Sequence, residues 1–264
     1  MTKKTVLITG CSEGGLGAAL ANAFHDQDFH VFATVRDPAK ATSLGRKNIE
    51  ILPLDVTSQS SIMECLEAVK KRTEGKLDVL VNNAGALFFG PLLDVSIEDS
   101  KRLFDSNVWG MLAVSQAFSP LLIEAKGVMV NICSIAGAVR MAWQGIYNSS
   151  KAAETWFSET LRIELEPLGV RVMTVMLGEV ESKIYTKKQA FHLPEKSYYR
   201  CIEDIITKQS SGAMQTSNEP PDMVARNLVQ DVLKGRKGQV WRGGVAGTAK
   251  YASWLLPTSV LPLK

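Results

Sequence analysis

The chain has 264 residues, 45% hydrophobic and 22% charged, enough to bury a substantial core in one large domain. Its 30 basic and 27 acidic side chains leave a formal charge of +3, too slight to imply a nucleic-acid partner. The four cysteines, Cys11, Cys65, Cys133 and Cys201, are scattered without a CxxC pair or a nearby histidine, so no metal site is expected and a reducing, cytoplasmic setting inside the cell fits them.

The N-terminus, MTKKTVLITG, runs into a strand-like segment too short in its apolar part for a signal peptide, and no apolar run is expected to span a bilayer. Strand-like runs follow one another at Thr5–Thr9, His30–Val35, Glu50–Leu54, Asp78–Val81, Val128–Cys133, Val170–Val175 and Gln239–Trp241. They are rich in Val, Ile and Leu and lack polar alternation, as parallel strands buried on both faces do. Helical patterns lie between them at Leu16–Asp26, Gln59–Thr73, Ile97–Glu124, Tyr147–Glu166 and Asp222–Lys234. Repeated strand and helix units predict an α/β fold, a Rossmann-type doubly wound parallel sheet of about seven strands with helices on both faces, in a single domain over 1–264. The longest irregular region lies between Leu177 and Pro221.

Such a sheet binds ligands beyond the carboxyl ends of its strands, where the strand order reverses. The first strand is followed there by TGCSEGGLG and then a helix. Glycines permit a tight turn and close approach, and the helix N-terminus offers free N–H groups to a pyrophosphate, so Gly10, Ser12, Gly15, Leu16 and Gly17 are candidate dinucleotide contacts. The second strand ends in ATVRDP, which puts Val35 where a carboxylate would bond a ribose 2′-hydroxyl and sets Arg36 beside it. A guanidinium there suits a 2′-phosphate, which predicts NADPH/NADP+ over NAD. Further on, YNSSK places Tyr147 and Lys151 four residues apart on one helix face, so that their polar ends can meet.

With these motifs the chain, from Lys4 to about Gly244, resembles the short-chain dehydrogenase/reductase family in its single-domain form. The family's T-G-x-x-x-G-x-G matches Thr9, Gly10, Gly15 and Gly17 with one extra residue between Cys11 and Gly14. The resemblance implies adenine-side contacts at Asp55 and Val56, and further cofactor contacts at Asn83, Ala84 and Gly85 of NNAG. It implies a catalytic set of Asn107 (in NVWG), Ser134 (in NICSIAG), Tyr147 and Lys151. By that likeness Tyr147 is the general acid, Lys151 also binds the nicotinamide ribose, Ser134 donates to the substrate oxygen, and Asn107 holds a water that relays protons to Lys151. The chemistry agrees: a free phenol, with a pKa of about 10, is a weak proton source near neutrality, and a nearby ammonium lowers that value. After the sixth strand the family's P-G-x-V-x-T reads LGEVES here, so Gly178, Val180 and Ser182 keep the implied carboxamide contacts while Leu177 lacks proline's fixed φ. Within the family, ITGCSEGGLG, ATVRD and WRGG most resemble the branch of hydroxysteroid dehydrogenases and fungal acyl-dihydroxyacetone-phosphate reductases.

The expected reaction is NADPH-dependent reduction of a ketone or aldehyde; the same site run in reverse as an alcohol dehydrogenase, and a cofactor-binding sensor without turnover, are the alternatives. The small-molecule substrate is expected to be bulky and apolar, a specialised metabolite, steroid-like compound or acyl lipid. Met141 and Trp143, just upstream of Tyr147, and Tyr185 are its candidate contacts beside Ser134 and Tyr147. Residues 183–218 form the expected substrate lobe, where Phe191, Tyr198 and Tyr199 either line a pocket or pack as a lid. The apolar tail, 245–264, is expected to pack on that lobe or on a second subunit, or to touch a lipid surface. The long helices Ile97–Glu124 and Tyr147–Glu166 resemble those of the family's subunit interface, which implies a homodimer or homotetramer.

Overall fold

The structure, a computed structural model, describes residues 3–181, 193–215 and 217–257. Seven strands form one parallel sheet: β1 (Thr5–Ile8), β2 (His30–Val35), β3 (Ile49–Pro53), β4 (Val79–Asn82), β5 (Val128–Ile132), β6 (Arg171–Leu177) and β7 (Gly238–Arg242). Their order across the sheet is β3-β2-β1-β4-β5-β6-β7, so the order of strand addition reverses between β1 and β4. The crevice opens beyond that point.

Alternation along each strand sends successive side chains to opposite faces. Val6 and Ile8 join Leu20 and Phe24 of α1 (Leu16–His25) and Val224, Leu228 and Val232 of α7 (Pro221–Leu233) in one core layer. Leu7 points the other way, into a layer with Ile62 and Val69 of α2 (Gln59–Thr73) and with Val114, Phe118 and Leu122 of α4 (Gly110–Ala125). Each such fully buried side chain stabilises the fold by roughly 1.5–3 kcal/mol. Ser58 and Ser96 cap α2 and α3 (Ile97–Phe104), accepting from the N–H groups of Ser61 and Asp99.

The sequence pattern at Ile97–Glu124 predicted one α-helix, and here the structure differs. Between α3 and α4 lies a π-helical turn, Asp105–Trp109, whose wider hydrogen bonding accommodates one extra residue in the spiral. By length and composition alone the stretch Ile97–Ala125 is apolar enough to cross a membrane, as a core helix can be, and 44% of its most apolar window is buried inside the fold. Val114, Phe118 and Leu122 spend that apolarity on the sheet.

The helix after β5 begins earlier than expected, as α5 (Gly145–Leu165). A buried polar chain fixes its rotation. Asn131 on β5 accepts from Asn82 Nδ2 at 2.8 Å and donates to Ser158 Oγ on α5 at 2.9 Å. Ser158 Oγ in turn lies 2.7 Å from Thr174 Oγ1 on β6. With Ser158 pinned to two strands, the face carrying Tyr147 and Lys151 turns to the crevice. Two helices lie in regions expected to be irregular or a tail: α6 (Glu203–Ser210) and α8 (Ala246–Leu255).

Candidate active site

A cleft of about 800 Å³ lies at the carboxyl ends of β1, β2, β4, β5 and β6, within the size range of small-molecule and cofactor sites. Its floor is the loop after β1. Gly10 has φ +76°, and a Cβ built on it would stand 2.9 Å from Ala84 Cα; Gly17 would push a Cβ to 2.6 Å from Asn83 Nδ2. These glycines draw the loop after β1 and the loop after β4 together, and Asn83 ties the two, donating to the carbonyls of Thr9 and Gly10 at 2.8 and 3.1 Å. Gly10, Ser12, Gly15 and Leu16 face the cleft; Gly17, predicted as a contact, packs behind it instead, because its space is needed for close approach of the two loops.

The extra loop residue is taken up by a turn, Gly15 N–H donating to Ser12 O at 3.2 Å with Gly14 at φ +74°. The Glu13 carboxylate accepts from Thr42 Oγ1 and Ser43 N, fastening this turn to the 3-10 segment Pro38–Leu44. Gly15 caps α1 without any side-chain hydrogen bond, and no acidic residue stands in the first turn. The helix N-terminus therefore presents open N–H groups in a glycine cradle, a fit for the phosphates of a dinucleotide.

Arg36 is exposed at the cleft rim, close enough to Asp55 to act on its charge. Burial works against the Asp55 carboxylate, but its bonds from Thr57 together with Arg36 hold it below the ordinary carboxyl range. The neighbouring Asp37 accepts from Ala39 N at 3.1 Å as a cap. Arg36 is thus open to an anion at the end of β2. Val56, Ala84 and Gly85 line the same cleft.

At the end of β5, Ser134 accepts from Ala136 N at 3.1 Å and donates to Leu177 O at 3.3 Å. Leu177, where the family pattern has proline, pairs with Arg242 and carries β6 to the cleft edge. Gly178 and Val180 also line the cleft, while Ser182 and Tyr185 lie outside the described residues. Ser134, Tyr147 and Lys151 converge on one wall.

Asn107 sits in the π turn, wholly buried. Its side chain bonds to three neighbours: Oδ1 accepts from Ala86 N at 2.7 Å, and Nδ2 donates to Ala86 O and to Ser150 Oγ, each at 3.0 Å. A Cβ on Gly85 would stand 3.4 Å from Asn107 Oδ1 and 3.7 Å from Lys151 Nζ, so the missing side chain leaves a gap between the two.

Lys151 has a partner that sequence reasoning missed. Its Nζ donates to Ile132 O at 3.2 Å and to Glu154 Oε2 at 2.8 Å, and both side chains of this ion pair are almost fully buried. Burial opposes the charged ammonium, but the Glu154 carboxylate and then Tyr147 outweigh it and hold Lys151 above its usual value. Glu154 itself is pushed up by burial, against the pull of Lys151, to about 7. The expected lowering of the Tyr147 phenol does not win here: burial raises it, Lys151 lowers it, Glu154 raises it, and the net direction is up. The spacing 147, 151, 154 on one helix face was the available signal.

The remaining wall is apolar. Met141 and Trp143 line it, and α6 and the turn after it add Ile205 and Met214. Of the tyrosines expected there, Tyr198 is 87% exposed and Tyr199 stacks edge-on against Trp143 at 5.2 Å behind the lining; Phe191 is outside the described residues. Trp143 holds φ +64°, an unusual backbone for a bulky residue, with its carbonyl accepting from Gly90 N at 2.7 Å. The tail folds back as α8, whose Ala249 and Ala252 close the cleft while Tyr251 and Trp254 stay exposed beneath the Lys250 ammonium.

A cradle for phosphates, an anion-ready arginine and a serine, tyrosine and lysine on one wall define a nucleotide-dependent oxidoreductase site, and comparison with known proteins bears on it directly. The family model for short chain dehydrogenase matches residues 4–192. The chain is 50% identical to the short-chain dehydrogenase cctT of Talaromyces islandicus, over 97% of this chain and 90% of that one. It is 38% identical to an NADPH-dependent 1-acyldihydroxyacetone phosphate reductase of Schizosaccharomyces pombe, over 99% and 92%. A short-chain dehydrogenase structure from Streptomyces avermitilis superposes with a TM-score of 0.83 at 28% identity, covering 96% of this chain and 92% of that one. The chain belongs to the short-chain dehydrogenase/reductase family of oxidoreductases.

Proposed function

We propose that the protein reduces a bulky, largely apolar ketone or aldehyde to an alcohol with NADPH as hydride donor. The observation that carries this reading is the convergence of Ser134, Tyr147 and Lys151 on one wall of a cleft whose other end is a phosphate cradle with Arg36 at its rim. Bound NADPH supplies the hydride. The chain's own residues supply alignment and the proton. Gly10, Ser12 and the open N-terminus of α1 would hold the pyrophosphate, and Arg36 would supply the charge-assisted partner of the 2′-phosphate. Asp55, Val56, Asn83, Ala84 and Gly85 would flank the cofactor, Lys151 would bind the ribose hydroxyls, and Gly178 and Val180 would contact the carboxamide. Ser134 donates to the substrate oxygen as charge develops there, and Tyr147 delivers the proton. Met141, Trp143, Ile205 and Met214 seat the apolar body of the substrate. The NADPH dependence of the Schizosaccharomyces pombe relative supports the cofactor choice.

The outward faces of α4 and α5 support assembly into a homodimer or homotetramer, since the preceding Trp109, and Trp156 and Ile163 on α5, are all more than half exposed. The deciding experiment follows oxidation of NADPH and of NADH by absorbance against ketones spanning steroids, polyketide-like aromatics and acyl-dihydroxyacetone phosphate. Turnover with NADPH on one class, abolished in Tyr147→Phe, is expected. Turnover retained in Tyr147→Phe would remove Tyr147 as the acid, and NADPH binding without turnover on any class would favour a sensor.

A further inference from the structure

Gln144, the residue on which α5 begins, lines the cleft one helical turn before Tyr147 and is 6% exposed. Its backbone is fixed from two sides. The Gln144 carbonyl accepts from Asn148 N at 2.7 Å, and the preceding Trp143 carbonyl accepts from Gly90 N at 2.7 Å. Leu92 packs so closely over Gly145 that a Cβ there would stand 2.5 Å from its Cγ. The side-chain amide, by contrast, is held at neither end: among the described residues Oε1 is buried without a hydrogen-bond partner and Nε2 donates to no protein group. Asn82, Asn148 and Glu154 also leave an oxygen unpaired, but each is anchored through its other end, to Ser115 and Asn131, to Met141 O and to Lys151. Buried polar groups without partners cost stability, so an unanchored amide does nothing for the fold that a methionine of the same length would not do better. Val139, Met141 and Trp143 surround it with apolar surface in the same cleft, and Trp143, at φ +64°, has the kind of backbone that clusters at ligand sites.

We propose that Gln144 is a specificity-determining residue of the cleft: its amide hydrogen-bonds a hydroxyl that the substrate carries a few bonds from the reacting carbonyl, so the preferred substrate is a hydroxy ketone with an otherwise apolar body. This rests on the reading of the cleft as a carbonyl-reducing site with Tyr147 as its acid. Side chains three apart on a helix stand about 5–6 Å from one another at Cβ, so a group on the Gln144 amide and a carbonyl at the Tyr147 hydroxyl belong to one small part of a molecule. A hydroxyl suits an amide held at neither end. It accepts from Nε2 in one orientation of the amide and donates to Oε1 in the other. A substrate without that hydroxyl leaves the amide unpaired, and a site built on hydrogen bonds discriminates by that loss more sharply than an apolar pocket does by shape.

The first test needs no substrate. Gln144→Met keeps the length of the side chain and removes the unpaired amide, so its melting temperature is expected to rise by about 2 °C or more. A melting temperature lowered in both Gln144→Met and Gln144→Leu would show that the fold uses the amide, and overturns the proposal. The second test is calorimetric titration of the protein saturated with NADP+, from which no hydride can pass to a ketone. The probes are the acetone–acetophenone aldol, a bulky ketone whose tertiary β-hydroxyl cannot be oxidised, and the same ketone lacking that hydroxyl. The hydroxy ketone is expected to bind the unmutated protein about tenfold more tightly than its deoxy analogue, and Gln144→Met should bring the two together by weakening the hydroxy ketone alone. Equal affinities in the unmutated protein, binding of neither ketone, or an advantage that survives in Gln144→Met overturns the proposal. Neither readout involves turnover, so their failure is distinguishable from failure of the reductase reading, which the ketone panel and Tyr147→Phe decide.

Discussion

Asn107 clamps the Ala86 peptide from both sides, its Oδ1 accepting from Ala86 N at 2.7 Å and its Nδ2 donating to Ala86 O at 3.0 Å. The π turn makes this possible by rotating one buried residue out of the α-helical register toward the loop after β4. Asn107 therefore holds the loop that carries Ala84 and Gly85, and through Ser150 it also touches α5 at the turn carrying Tyr147. Asn107→Ala strands the Ala86 peptide without its partners. The expected cost is about 1–3 kcal/mol of stability, with turnover reduced about ten- to a hundredfold. Chemical denaturation and single-substrate kinetics measure the two effects separately; an unchanged melting curve with lost turnover would assign Asn107 a direct chemical role instead.

Arg36 stands at the end of β2 with its side chain exposed, and Val35 before it offers no carboxylate to a ribose hydroxyl. Replacing the guanidinium by a carboxylate removes a charge-assisted pair and adds repulsion. Arg36→Glu is expected to weaken NADPH by about thirtyfold or more, a loss of roughly 2 kcal/mol, while NADH binding changes little. Fluorescence titration with both nucleotides measures this directly. An equal loss of the two affinities would mean that Arg36 does not meet the 2′-phosphate.

The seven strands were legible because parallel strands buried on both faces are written as short runs of Val, Ile and Leu, and β2 falls on the residues predicted for it. The Tyr147–Lys151 spacing was legible as one helix face. The π turn was not: it is a slip of backbone hydrogen bonding with no side-chain signature, inside a segment whose apolar spacing suits a plain helix. Glu154 was passed over because a glutamate on a helix is ordinarily solvated, and only the tertiary fold buries it beside Lys151. Ile205, Met214 and Ala252 reach the cleft from far along the chain, which no local pattern announces. Tyr198 shows the converse, an aromatic in the right region that the fold turns to solvent.

Burial lifts Glu154 to about 7 in the fold, whereas an unfolded glutamate titrates near 4.5. Between those values the folded chain holds a proton that the unfolded chain has released. Stability contributed by this group is therefore fully present below about 4.5 and is lost as pH rises toward 7, the opposite of the usual salt-bridged carboxylate. Asp55, held low, works in the ordinary sense and loses its contribution as pH falls. Urea midpoints of the unmutated protein and of Glu154→Gln across pH 4.5 to 7 should converge at the alkaline end less well than at the acid end, with the variant gaining relative stability as pH rises. A difference between the two that stays constant with pH would show that Glu154 is ionised throughout, its charge carried by Lys151 alone.

Trp156 and Ile163, seven residues apart on α5, share one helix face with exposures of 74% and 63%, and Trp109 stands beside them with its ring tilted against Phe157 at 6.1 Å. Two indoles and an isoleucine left in water are apolar side chains of the kind that subunit contacts cover. A glutamate at the centre of that surface would have to be buried unpaired on assembly, and twice over across a two-fold axis. Trp156→Glu is accordingly expected to yield a monomer at concentrations where the unmutated protein is a dimer or tetramer, with the far-ultraviolet circular dichroism retained. Light scattering after size exclusion checks it. Unchanged mass in the variant would place the interface elsewhere, and a monomeric unmutated protein would leave this face without a partner copy.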